Sequence, residues 1–234
     1  MYFANTDKLL SVNRGERERL LYACADAKRA LDIDAASRER KSGKTSTERQ
    51  IHNNEVACTA AKEYLEKKAP NASVYYLGPE KTGEINELAK ELSGILRRIA
   101  RKESDKYKAP CFVIQGYVNT TIKMEPGQPK SYGGKSIHQA MIMAKELEDE
   151  TGITGICMKT NWDGNTCSIA GIFDHNTSIM LSKTGNLDRS IKENDSFAVM
   201  KGIRSVLDGH KEPKDRNTDL ANKARFTIAS VNVR

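Results

Sequence analysis

The sequence predicts an α+β protein in which an N-terminal helical hairpin, residues 1–70, is followed by a mainly antiparallel sheet flanked by helices in residues 71–234. Three observations carry that reading. Apolar residues before position 70 recur at helical spacing, strand-like and helix-like runs alternate from Ser73, and after Gly152 three β-rich runs follow one another with turn residues between them.

In the helical region, Leu20, Cys24, Ala27 and Leu31 line one helix face, and Ala57, Cys58, Ala61, Tyr64 and Leu65 line another. Thr45 with Glu48 reads as a capping box and Pro70 as a stop, so two helices pair around the basic loop Arg38 to Lys44. Ser73 to Leu77 is a short strand. Glu84 to Lys102 is a helix whose seam of Ile85, Leu88, Leu92, Ile95 and Ile99 needs a covering helix or sheet. Cys111 to Lys123 is rich in β formers, and a loop with Pro126, Pro129, Gly133 and Gly134 leads into a helix from Ser136 to Glu150. Strands are then expected at Ile153 to Thr160, Thr166 to Phe173 and Ser178 to Ser182, with Asp163-Gly164 as a hairpin turn. A helix capped by Asp195 or Ser196 runs through Leu207 to Gly209, and Phe226 to Val233 is the last strand. This order favours antiparallel pairing and leaves parallel pairing open at the start of the sheet. The helix, the hairpin, Gly155 and the Asp163-Gly164 turn together resemble a profilin or roadblock type of domain at the level of elements.

A chain of 234 residues buries a sizeable core unaided. Five cysteines, an odd number without short paired spacing, argue for a reducing compartment, with Cys24 and Cys58 as small core residues. The N-terminus shows no basic region followed by an apolar run, and no apolar stretch approaches membrane-spanning length. A cytoplasmic protein without a membrane partner is expected.

The net charge of +7 points to nucleic acid or an acidic protein surface as partner. The excess is spread along the chain, but two clusters stand out: Arg38, Arg40, Lys41, Lys44 and Arg49, and Arg97, Arg98, Arg101, Lys102, Lys106 and Lys108. Convergence of the two would give a phosphate-facing surface dominated by backbone contacts. The bland alternative for the second cluster is a helix C-terminus whose cations complement the dipole. Ser42-Gly43-Lys44-Thr45 invites comparison with a phosphate-binding loop, but the upstream glycine position holds Arg38 and no strand precedes it, so it reads as a polar interhelical loop.

Lys145-Glu146-Leu147-Glu148-Asp149-Glu150-Thr151-Gly152-Ile153 places Glu146, Asp149 and Glu150 at i, i+3 and i+4 of the expected helix, on one face and opposite Ile137, Ala140, Met141, Ala144 and Leu147. Ile142 and Met143 also lie toward the acidic side, which implies partial cover by another element or a partner. Such a face is either solvated or a site for a hard divalent cation. Its end resembles the second half of the Nudix box, with Glu146, Leu147, Glu150, Gly152 and Ile153 matching. Lys145 replaces the arginine, Asp149 replaces a glutamate, and Ile137 stands at the upstream carboxylate. That resemblance implies magnesium held by Glu146, Asp149 and Glu150 for hydrolysis of a nucleoside diphosphate derivative.

His52, His138, His175 and His210 are isolated, and Cys157, Cys167 and His175 lack the close pairing of a structural zinc site. A Cys111 and His138 nucleophile-base pair depends on the fold bringing them together. The leading expectation is a non-catalytic binding protein, without cofactor, that engages nucleic acid or an acidic partner through Arg38, Arg40, Lys41, Lys44, Arg97, Arg98, Arg101 and Lys102. A magnesium-dependent Nudix-like phosphohydrolase and a protein-binding scaffold are the alternatives.

Overall fold

A computed structural model describes residues 19, 22, 23, 46–123, 134–159, 170–184, 187–196 and 225–232. The first arm of the expected hairpin apart from three residues, the Arg38 to Lys44 loop, Thr45 of the capping box, the Asp163-Gly164 turn and the helix beyond Ser196 lie outside them. Among the described residues, no helix is long and apolar enough to cross a membrane.

Helix α1 (Ser46–Lys68) is followed by β1 (Ser73–Tyr76), β2 (Lys81–Glu84), α2 (Ile85–Ala100), β3 (Cys111–Thr121), α3 (Lys135–Glu146), β4 (Ile153–Lys159), β5 (Ala170–Asp174), α4 (His175–Thr184), α5 (Leu187–Lys192) and β6 (Arg225–Val231). The strands form one mixed sheet in the order β1, β3, β6, β4, β5, with β2 on the later half of β3 beyond β1. β1 and β2 run parallel to β3, whereas β6 is antiparallel to both β3 and β4, and β5 is antiparallel to β4. The parallel start follows from α2, which carries the chain back before β3 begins.

Side-chain alternation divides the core between the two faces of the sheet. Phe112, Ile114, Ile156, Met158, Phe226 and Ile228 pack on the Ala57, Cys58, Ala61 and Leu65 face of α1, so this helix shares a core with the sheet. Cys111, Val113, Tyr117, Cys157, Ala229 and Val231 face α2 and α3. Of the expected α2 seam, Ile85, Leu88, Leu92 and Ile99 are buried, and Ile95 packs at its edge. Ile137 and Met141 of α3 meet Leu181 and Leu187 of α4 and α5, while Ala140, Ile142, Met143 and Ala144 pack with α2 and the sheet, so the helix is buried from Ser136 to Ala144.

Several expectations are corrected. Ser178 to Ser182 is not a strand but part of α4, because Asp174 starts a helix: its carboxylate accepts from the backbone amides of Asn176 and Thr177, while the Thr177 hydroxyl accepts from the Asp174 amide. α3 ends at Glu146 rather than Glu150, and α2 begins after Glu84, whose carboxylate caps it by accepting from the amides of Asn86 and Glu87. β2 and α5 are elements that the sequence pattern did not signal. Gly152 is required where it stands: a Cβ there would lie 1.9 Å from the carbonyl oxygen of Asn232, whose amide donates to Gly152 at 2.8 Å.

Candidate functional site

The early end of α3 separates the three acids. Asp149 is exposed on the turn after the helix, and the guanidinium of Arg97 donates to the Glu146 carbonyl, satisfying a C-terminal acceptor of α3. Glu150 Oε1 lies 2.7 Å from Arg101 Nη2, 2.8 Å from Arg101 Nε and 3.8 Å from Arg97 Nε, while a Glu146 carboxylate oxygen lies 3.8 Å from Arg97. Glu146 and Glu150 of the acidic stretch and Arg97 and Arg101 of the second basic cluster therefore neutralise each other. These carboxylates do not fit magnesium: the shared helix face is absent, and among the described residues no three His, Cys, Asp or Glu side chains are placed to hold a metal ion. Arg98 and Lys102 remain exposed, and Arg38, Arg40, Lys41 and Lys44 lie outside the described residues.

The Cys111 and His138 pair does not form. Cys111 opens β3, whereas Lys135, one turn before His138, donates to the Thr120 carbonyl at its other end, about 30 Å away at ~3.3 Å per strand residue. Burial pushes both the Cys111 and Cys157 thiols up to about 12, so neither is a nucleophile at neutral pH.

A different set of polar groups converges at the carboxyl ends of β3 and β4. The ladder between β3 and β6 stops at Gly116 opposite Phe226. At that point buried Asn54 of α1 enters, its Oδ1 accepting from the Arg225 amide at 2.8 Å and its Nδ2 donating to the carbonyls of Tyr117 and Pro79. On the far side of β3, three residue steps from Tyr117 to Thr120 match two on β2, from Lys81 to Gly83, a bulge in which Asn119 takes φ 52°. The extra residue reverses the alternation and turns Thr120 toward the α3 side. There the Thr120 hydroxyl accepts from the Arg225 guanidinium, and its carbonyl accepts from Lys135 Nζ at 2.5 Å.

Arg225 is 8% exposed and faces Lys159, 2% exposed, directly across the β4–β6 ladder. Like charges opposite one another in a sheet are unfavourable, and a buried cation without a countercharge costs more still. Arg225 Nε has no hydrogen-bond partner, and no carboxylate pairs with Arg225 among the described residues. Burial lowers its pKa to about 10, so it stays charged at neutral pH. Its neighbours Cys157 and Tyr117, both held neutral by burial, offer no negative charge.

The N-terminus of α3 closes the group. Gly134 supplies no side-chain cap to the first-turn amides, and the Ser136 hydroxyl, 1% exposed, has no partner. One turn on, buried His138 contacts the Asn86 side-chain oxygen through Nε2 at 2.9 Å, and both amide atoms of buried Gln139 lack partners. Elsewhere, Leu88, Leu92, Ile95, Gln115 and Tyr117 line a shallow groove whose ionic groups, Lys81 and Glu91, pair with each other at 2.7 Å. The sequence signal for the edge site was Gly134-Lys135-Ser136 where a helix follows a strand. A complete phosphate-loop motif would place its first glycine at Pro129.

The fold is thus α+β, a mixed sheet flanked by helices. Solved proteins of similar fold include the PH0495 protein of Pyrococcus horikoshii OT3, 19% identical with a TM-score of 0.61, where the match covers 77% of this chain and 39% of that one. A glycerate kinase of Thermotoga maritima is 20% identical with a TM-score of 0.58, and the match covers 76% of this chain and 40% of that one. This chain therefore spans well under half the length of either. No family model and no curated protein matches the sequence.

Proposed function

We propose that the protein binds an anionic partner whose acidic group is taken up at the carboxyl edge of the sheet, among Lys135, Ser136, Lys159 and Arg225. The observation that carries this reading is Arg225: a guanidinium more than nine-tenths buried, beside a second buried cation, with an unpartnered Nε and no carboxylate bonded to it. Salt-bridging cations on a surface need no ligand, but a buried one without a countercharge is costly unless an anion joins it. The general expectation of a basic protein with an acidic partner is kept, and its binding residues move from the Arg97 and Arg101 cluster to this edge. The likeness to a protein named glycerate kinase supports the fold of such a site and supplies no residue of it.

Thermal unfolding at constant ionic strength tests the proposal. Multivalent anions such as pyrophosphate and citrate raise the midpoint of the wild type in proportion to the logarithm of their concentration and leave Arg225→Met unmoved. Without anions, Arg225→Met is at least as stable as the wild type, because an uncompensated buried charge has been removed. A wild-type midpoint indifferent to every anion overturns the reading. Stabilisation by duplex or single-stranded nucleic acid alone, undiminished in Arg225→Met, moves the function back to the exposed basic residues.

A further inference from the structure

We infer that the group taken up at this edge is a terminal phosphate monoester carried by a small molecule. The inference rests on the anion-binding reading above and names its ligand class. Three features select the class. First, the groups are deep: Arg225, Lys159 and Ser136 are 8%, 2% and 1% exposed, so an anion must enter past the surface to reach them. The phosphodiester of a nucleic-acid backbone, substituted on both sides, meets proteins at exposed cations instead.

Second, the edge holds buried donors without a partner, Arg225 Nε among them, alongside Gln139, which lacks partners on both of its amide atoms. Arg225 offers Nε–H, Ser136 its hydroxyl, and the uncapped first turn of α3 its backbone amides, with the Lys135 ammonium beside them on Thr120. A monoester presents three oxygens as strong acceptors, a carboxylate two, and a diester only two unsubstituted oxygens. Third, a monoester carries close to two negative charges at neutral pH, more than a carboxylate brings to the Arg225 guanidinium, and the N-terminus of a twelve-residue helix adds the favourable end of the dipole. The bulge at Asn119 serves the same end, since it turns the Thr120 hydroxyl to the Arg225 guanidinium while the Thr120 carbonyl accepts from Lys135 in the first turn of that helix.

Calorimetric titration with phenyl phosphate, inorganic phosphate, dimethyl phosphate, acetate and a single-stranded oligonucleotide, all at one ionic strength, tests the class. Phenyl phosphate is expected to bind at least roughly tenfold more tightly than dimethyl phosphate or acetate, and Arg225→Met and Ser136→Ala each to weaken it, the former by roughly tenfold or more. Inorganic phosphate binding as tightly as phenyl phosphate would make free phosphate the ligand and overturn the small-molecule ester. In the wild type, where no variant has to fold, the backbone amide resonances of Lys135, Ser136 and Ile137 shift on adding phenyl phosphate. Equal affinity for phenyl phosphate, dimethyl phosphate and acetate overturns the phosphate class and leaves the anion site standing. No binding of any anion overturns both, and oligonucleotide binding lost in Arg225→Met without phenyl phosphate binding overturns the monoester.

Discussion

His138 shows how one buried residue sets a pH dependence. It lies in the first turn of α3 at 1% exposure, contacts Asn86 through Nε2, has no partner on Nδ1, and has its pKa lowered to about 4 by burial. The imidazole is therefore neutral in the fold, whereas in the unfolded chain it takes up a proton near its usual value of about 6.5. Between those values the unfolded state binds more protons, so this contribution is complete above about pH 6.5 and is lost as pH falls toward 4. Denaturant unfolding at neutral pH and near pH 4.5 should show the wild type losing roughly 2 to 3 kcal/mol more than His138→Gln over that interval. Equal losses would mean that the ring is solvated or already protonated in the fold. Local spacing marked His138 only as an isolated histidine. Its burial depends on α2, which follows a different strand.

At the scale of elements, the amphipathic helices and the longest strands were legible because each carries its own periodicity, as in the Ile85, Leu88, Leu92 and Ile99 face of α2. α4 was misread because Ser178-Ile179-Met180-Leu181 fits a short strand as well as a helix. Asp174 with Thr177 held the deciding information as a cap. The acidic stretch and the Arg97 to Lys102 cluster read as rival sites, yet they are partners 49 residues apart, a distance that no local pattern spans. Lys135 and Ser136 stood in view beside two glycines, whereas Arg225 joins them only through the order of strands in the sheet. The pairing between α2 and the end of α3 is half exposed on the arginine side, so Glu150→Gln should cost about 1 kcal/mol, less at high salt. Arg101→Gln should cost a similar amount, and the double variant no more than the larger single change, as a double-mutant cycle reads it. Magnesium should produce no saturable change in either protein. A metal-dependent stabilisation abolished by Glu150→Gln would restore the carboxylates as ligands.

For the whole molecule, the decisive contact is the one that joins its two faces. Asn54 sits on α1, on the face of the sheet opposite α2 and α3, yet its side-chain amide completes the β3–β6 ladder where backbone partners run out. It also holds the Pro79 carbonyl in the connection between β1 and β2, at 3.1 Å. Removing the amide leaves a buried N–H on Arg225 and a buried carbonyl on Tyr117 unsatisfied, each a desolvation penalty of about 1 to 3 kcal/mol, partly recovered if water enters, and frees the half-buried Pro79 carbonyl. Asn54→Ala should therefore lower stability by roughly 3 kcal/mol, well beyond the small change expected of an exposed asparagine. Because the bond spans the helix layer and the sheet, the loss should appear as one cooperative transition, with far-ultraviolet circular dichroism and tyrosine fluorescence moving together. Because Arg225 begins where Asn54 grips it, the same variant should weaken anion binding even where it remains folded. Separate transitions for helix and sheet would show instead that α1 rests on the sheet through apolar contact alone, without the hydrogen bonds that position Arg225.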